Sequence, residues 1–279
     1  MIVPISLYKF IRQKLIRLRE ILCKGNDVAS LVECDFWLVC HQKDYATAKL
    51  TLESIRRFSL NPVNKIFFIS NLELRPSWLE SDIDYIYEME IEGIERVSKI
   101  LHSCSYRGWI IQQILKYSGI SYSNRFVSID CDTVLLRPHL FYYGEKTVLR
   151  LAYEYSPIYR PFEKKLEISA LNHLSFVCHM MPFHRTILQK LLKQIELKTD
   201  FVWYEGIAHY AETRGMVISE WDLYAKFLIH NQSPFTLRPW KNQTVTYDEN
   251  ISLENLISQY GRARLSVSLH RPGGPLVLK

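Results

Sequence analysis

Two aspartates separated by one residue follow an apolar run at mid-chain. The run is Phe126-Val127-Ser128-Ile129, the pair is Asp130-Cys131-Asp132, and an apolar stretch ending in Arg137-Pro138 comes next. The run reads as a buried strand. In open α/β sheets ligands bind beyond the carboxyl ends of strands. Two carboxylates placed there repel each other unless a cation lies between them. Oxygen ligation suits Mg²⁺ or Mn²⁺, which complete their shells with water and substrate phosphates. The plain alternative is a turn-capping Asp130 beside a solvated Asp132. The position after a strand and before an apolar stretch favours the metal.

A second acidic pair lies in Ile218-Ser219-Glu220-Trp221-Asp222. Ser219 is spaced to cap a helix, with Asp222 three residues on, as in a capping box. That accounts for Ser219 and Asp222 and leaves Glu220 free. His179-Met-Met-Pro-Phe-His184 precedes a predicted helix. His179 follows an apolar run and is the better candidate to line an acceptor site or bond a donor, and His184 belongs to the helix start. Trp203-Tyr204-Glu205 and Tyr153-Glu154-Tyr155 offer aromatic rings with carboxylates, suited to sugars, although core packing explains them equally well.

The elements that must position these groups come from the periodicity. Apolar runs predict strands at 35–40, 65–70, 83–87 and 125–129, with helices at 44–58 and 106–117 between them. This alternation predicts an α/β unit with a mostly parallel sheet. Further strands are predicted at 149–155, 175–178 and 265–269, and helices at 183–195 and 221–230. No repeat or linker divides the chain, so 33–279 reads as one domain.

The 279 residues are 48% hydrophobic and 23% charged, which excludes a disordered or fibrous chain. The net charge is +6, and residues 1–24 carry six basic side chains (Lys9, Arg12, Lys14, Arg17, Arg19, Lys24) against Glu20. The remainder is near neutral, which argues against a nucleic-acid groove. Leu7, Ile11, Leu15, Leu18 and Leu22 form one helical stripe, so 1–25 reads as an amphipathic basic helix that meets an anionic membrane surface or a partner protein. No run is long enough to span a bilayer. Six scattered cysteines without metal spacing suggest reduced thiols in the cytoplasm.

The stretch Ser128-Ile-Asp130-Cys131-Asp132-Thr-Val-Leu-Leu-Arg-Pro resembles the D-x-D segment of GT-A glycosyltransferases. Arg107-Gly-Trp109-Ile-Ile-Gln112-Gln113-Ile-Leu-Lys116 is similar to the helix preceding that segment in bacterial envelope-polysaccharide members. The resemblance covers roughly 35–271 and implies a GT-A-like, Rossmann-type nucleotide-binding domain. It implies sugar transfer from a nucleotide-sugar donor to a glycan or lipid-linked acceptor in cell-surface polysaccharide synthesis (lipopolysaccharide, O-antigen or capsule), at the inner face of the cytoplasmic membrane. By this resemblance Asp132 contacts the metal most directly, and Asp130 holds the ribose or a metal-bound water. His270, after the last strand, supplies a third ligand. The donor pocket takes His41, Asp44, Asn71, Arg107, Gln112, Gln113, Lys116, His179 and Arg271, with Arg107, Lys116 and Arg271 adding positive charge. Glu220, or else Asp222, serves as general base in an inverting reaction, whereas a retaining enzyme needs none. A nucleotidyl- or phosphotransferase on a similar half-fold is the competing enzyme reading, although Val39-Cys-His-Gln-Lys-Asp44 has no glycine for a phosphate loop. A non-catalytic module of a polysaccharide assembly complex is the third.

Overall fold

The computed structural model describes residues 28–152, 157–168, 174–215 and 218–270. The predicted helix within 1–25, Tyr153-Glu154-Tyr155 and Arg271 lie outside them.

The first strand, β1 (Cys34–Cys40), is buried along its whole length. Trp37 and Val39 enter one core and Phe36, Leu38 and Cys40 another. A strand covered on both faces needs such an uninterrupted apolar run. There follow α1 (Tyr45–Phe58), β2 (Val63–Ser70), β3 (Asp84–Tyr87), α2 (Ile94–Ile100), α3 (Arg107–Ser118) and β4 (Arg125–Asp130). Next come β5 (Thr133–Leu135), β6 (Tyr142–Tyr143), β7 (Lys146–Leu151), α4 (Arg160–Lys165) and β8 (Met180–His184). The last elements are α5 (Arg185–Thr199), α6 (Trp203–Arg214), α7 (Glu220–His230), β9 (Phe235–Pro239), β10 (Asn242–Thr246), α8 (Leu253–Tyr260) and β11 (Ser266–His270).

The central sheet has the order β3-β2-β1-β4-β8. The first four strands are parallel, and β8 runs antiparallel to β4. The mixed α/β class and the mostly parallel sheet agree with the sequence expectation. Two three-stranded sheets flank it, β10-β11-β5 and β6-β7-β9. In the former, β11 pairs antiparallel with β5, so Thr133 lies opposite Ser268.

The second half departs from the predictions. Within 175–178 the only pairing is a single bridge from Ser175 to Ala152, and the strand is the next segment, β8. Pro182 hides that strand in the sequence. It is tolerated because β8 is the end strand of the sheet, where a missing N–H breaks no ladder. The predicted helix at 183–195 starts at Arg185 and runs on to Thr199. Trp203 and Tyr204 start α6, with Tyr204 buried and the Trp203 ring 6.2 Å from that of Tyr117. They pack the core and form no platform.

Candidate functional site

Asp130 is the last residue of β4, and Cys131 and Asp132 make the turn into β5. Three neighbours hold this turn by its backbone. Thr51 Oγ1 of α1 donates to Cys131 O at 2.9 Å, Leu269 N of β11 donates to Asp132 O at 2.8 Å, and Asp130 N donates to His179 O at 2.9 Å. Ser54, one turn after Thr51, receives Leu135 N at 3.0 Å. The small hydroxyl residues on the buried face of α1 are therefore what a tight turn against a helix requires.

The two aspartates face different partners. Asp130 Oδ1 lies 2.7 Å from Lys116 Nζ, and Asp130 Oδ2 lies 3.2 Å from His179 Nδ1. Lys116 also donates to Glu220 Oε1 at 2.7 Å, and its ammonium lies 4.0 Å from the centre of the Trp221 ring. His179 takes a left-handed backbone conformation, φ 59°, immediately before β8, and its ring lies 5.9 Å from that of Trp221. Asp132 Oδ2 lies 3.9 Å from His270 Nε2 at the end of β11.

These contacts split the charge states. Burial works against the Asp130 carboxylate, but Lys116 and His179 outweigh it and hold its pKa below the usual range. Asp132 is pushed up to about 7, by burial and then by the negative charge of Asp130 and Asp44. Glu220 is raised, because burial exceeds the pull of Lys116. Burial, and then the neighbouring His179, lower His270, which favours the neutral imidazole that ligates metals.

Several sequence expectations find their place here. Asp44 lies within electrostatic reach of both Asp132 and His270. His41 Nδ1 accepts from Lys43 N at 3.2 Å, and Asn71 Oδ1 accepts from Gln42 N at 2.9 Å, at the carboxyl ends of β1 and β2. Others do not. Gln113 is fully buried and both atoms of its amide lack a partner. Helical spacing places it on the same face as Ile110 and Tyr117, pointing into the core. Arg107 is exposed in the first turn of α3, nine residues and roughly 13 Å of helix rise from Lys116. Gln112 is half-buried.

Three expectations are corrected. Lys116 does not lend its charge to a donor: its side chain is 4% exposed and paired with Asp130 and Glu220. Glu220 is not free: it is 4% exposed and bound to Lys116. Asp222 is enclosed as well. It accepts from Phe176 N, receives the Ser219 cap through its own N–H at 3.2 Å, and pairs with Lys226 at 3.3 Å. Neither carboxylate is presented to an acceptor. The capping role of Ser219 is as expected.

Among the described residues no three His, Cys, Asp or Glu side chains converge into a ready-made metal cage. Asp132 and His270 approach each other, whereas Asp130 is turned to Lys116. An ammonium thus supplies to Asp130 the positive charge that the sequence reading assigned to a metal. The remaining pair, a crowded carboxylate and a neutral imidazole, still fits a divalent cation whose other positions are filled by water and phosphate oxygens. The pairing of Lys116 is hidden in the sequence because its two partners lie 14 and 104 residues away, on other elements. No protein-family model matches the chain, and no curated protein is significantly similar to it.

Proposed function

We propose that this chain is a metal-dependent glycosyltransferase of GT-A type. It moves a sugar from a nucleotide-sugar donor to a glycan or lipid-linked acceptor in cell-surface polysaccharide synthesis. The observation that carries the reading is the approach of Asp132 and His270, 3.9 Å apart, beyond the carboxyl end of β4. A cation beside Asp132 would relieve the repulsion from Asp130 and Asp44 that helps to raise its pKa to about 7. A bound Mn²⁺ or Mg²⁺ stabilises the diphosphate leaving group as a Lewis acid. Asp132 and His270 are the residues that hold it. Asp44, His41 and Asn71 line the side where a nucleoside fits, and His179 steadies Asp130.

The test is a thermal-shift screen of nucleotide diphosphates and their sugars, with and without Mn²⁺, followed by donor hydrolysis. A metal-dependent shift with one nucleotide family is expected, since a bound ligand stabilises by RT ln(1 + [L]/Kd). Asp132→Asn abolishes transfer and leaves the fold intact. Near-wild-type turnover of that variant at limiting metal discards the assignment.

The work is placed at the cytoplasmic face of a membrane, and the basic segment 1–24 supports that placement. No helix among the described residues is long and apolar enough to cross a membrane. Co-sedimentation with anionic liposomes, weakened by deletion of residues 1–24 and by salt, tests the peripheral contact.

A further inference from the structure

An ammonium has three N–H bonds to give. Lys116 donates one to Glu220 Oε1 at 2.7 Å, forms an ion pair with Asp130 Oδ1 at 2.7 Å, and sits over the face of Trp221. The ammonium is held on three sides and the side chain is 4% exposed, so it does not swing out to meet a phosphate. Asp130 is engaged at both ends as well, Oδ1 by Lys116 and Oδ2 by His179. Asp132 differs. Among the described residues its two oxygens have only long contacts, 3.5 Å to Thr133 Oγ1 and 3.9 Å to His270 Nε2.

We propose that Lys116, anchored by Glu220, is a positioning residue that reserves Asp130 for the protein and leaves Asp132, with His270, as the carboxylate that meets a divalent cation. This rests on the reading above that such an ion binds. It divides the aspartate pair into an inner member that orders the turn and an outer member that takes the ion. It also gives Glu220 a part different from that of a base: it fixes the lysine that fixes Asp130. Trp221 completes the seat, because a cation over an indole face keeps its place without a third anion.

The experiment measures binding of Mn²⁺ alone to the full chain by electron paramagnetic resonance, at one pH and salt. Asp132→Asn weakens binding by at least about tenfold, and Asp130→Asn changes it by less than about threefold, since only the former removes a direct ligand. Lys116→Met removes a neighbouring positive charge and frees Asp130, so Mn²⁺ binds about tenfold tighter. Adding Asp130→Asn in that background cancels the gain. Lys116→Arg keeps the charge and restores wild-type affinity. Should Lys116→Met fold poorly, as read by circular dichroism, Glu220→Gln removes one of the two anions that offset the lysine, so its charge weighs more on the site and Mn²⁺ binds about threefold more weakly. The proposal is overturned if Asp130→Asn loses as much as Asp132→Asn, or if neither Lys116→Met nor Glu220→Gln moves Mn²⁺ affinity. A wild-type chain that binds no Mn²⁺ overturns the metal reading itself and this division of roles with it.

Discussion

The first turns of α7 feed two lysine-centred triads of the same composition. In one, Lys116 joins Asp130 and Glu220. In the other, Lys226 joins Glu163 of α4 at 2.7 Å and Asp222 at 3.3 Å. Glu220 belongs to the first and Asp222 to the second, so one helix start is shared between them. The difference is access to water. Lys226, Glu163 and Asp222 are 2–3% exposed. In the Lys116 triad Asp130 keeps 19% of its side chain in contact with solvent, at the end of a strand. The closed triad is a staple. It ties α7 to α4 and, through Phe176 N, to the segment leading to His179. The open triad carries the same charges to the rim of the candidate site. The two triads share their ion-pair composition and differ in the exposure of one member.

The largest break in this comparison comes from Lys226→Met. It strands two carboxylates without a cation in the closed triad and destabilises by about 3–5 kcal/mol, read from urea unfolding. The pH dependence of the same triad comes next. Asp222 ionises at about 3.9 in the unfolded chain. Burial raises it to about 6 in the folded one, and Lys226 offsets only part of that rise. The unfolded state therefore sheds its proton first. Stability is lost as pH rises from about 4 to about 6, by up to about 3 kcal/mol for such a shift. Asp222→Asn keeps the acceptor for Phe176 N and flattens this slope, as denaturation at several pH values will show. A wild-type slope that survives in Asp222→Asn removes the staple from the account.

Lys116→Met costs less than Lys226→Met, about 2 kcal/mol, because it strands one enclosed carboxylate, Glu220, rather than two, and Asp130 has water available. Equal losses for the two lysines erase the distinction between open and closed. The smallest effect is a gain. Gln113 carries an unpartnered buried amide one turn before Lys116, and Gln113→Met removes that burden at similar volume. The thermal midpoint rises, by about 1 kcal/mol of stability or less.

Much of the central sheet is legible in the sequence because its strands are uninterrupted apolar runs. Trp37 and Phe36 need no long-range information to be assigned to a buried strand. Asp130, Asp132, His179 and His270 are legible too, since each stands at the end of a strand-like run. Strand β8 is not, because Pro182 argues against a strand unless its place at the sheet end is known. Strand β5 has three residues, and β9 and β10 are only partly buried and mix in polar residues, so no apolar run marks them. The roles of Lys116 and Glu220 are not legible either. A lysine in a helix looks solvated until the fold brings two carboxylates to it from across the chain.

Strand β11 also governs when the site exists. It is the partner of β5, and Leu269 N holds the turn at Asp132. The aspartate pair leaves the ribosome long before Ser266–His270 does. Until that strand arrives, β5 lacks its neighbour and Asp132 lacks both its backbone clasp and His270. A nascent chain can build the parallel strands β1 to β4 first and still hold an incomplete candidate site, so the proposed ion binding would report on the last long-range pairing rather than on the early core. During synthesis, the proposed competence for Mn²⁺ therefore trails the appearance of the parallel strands.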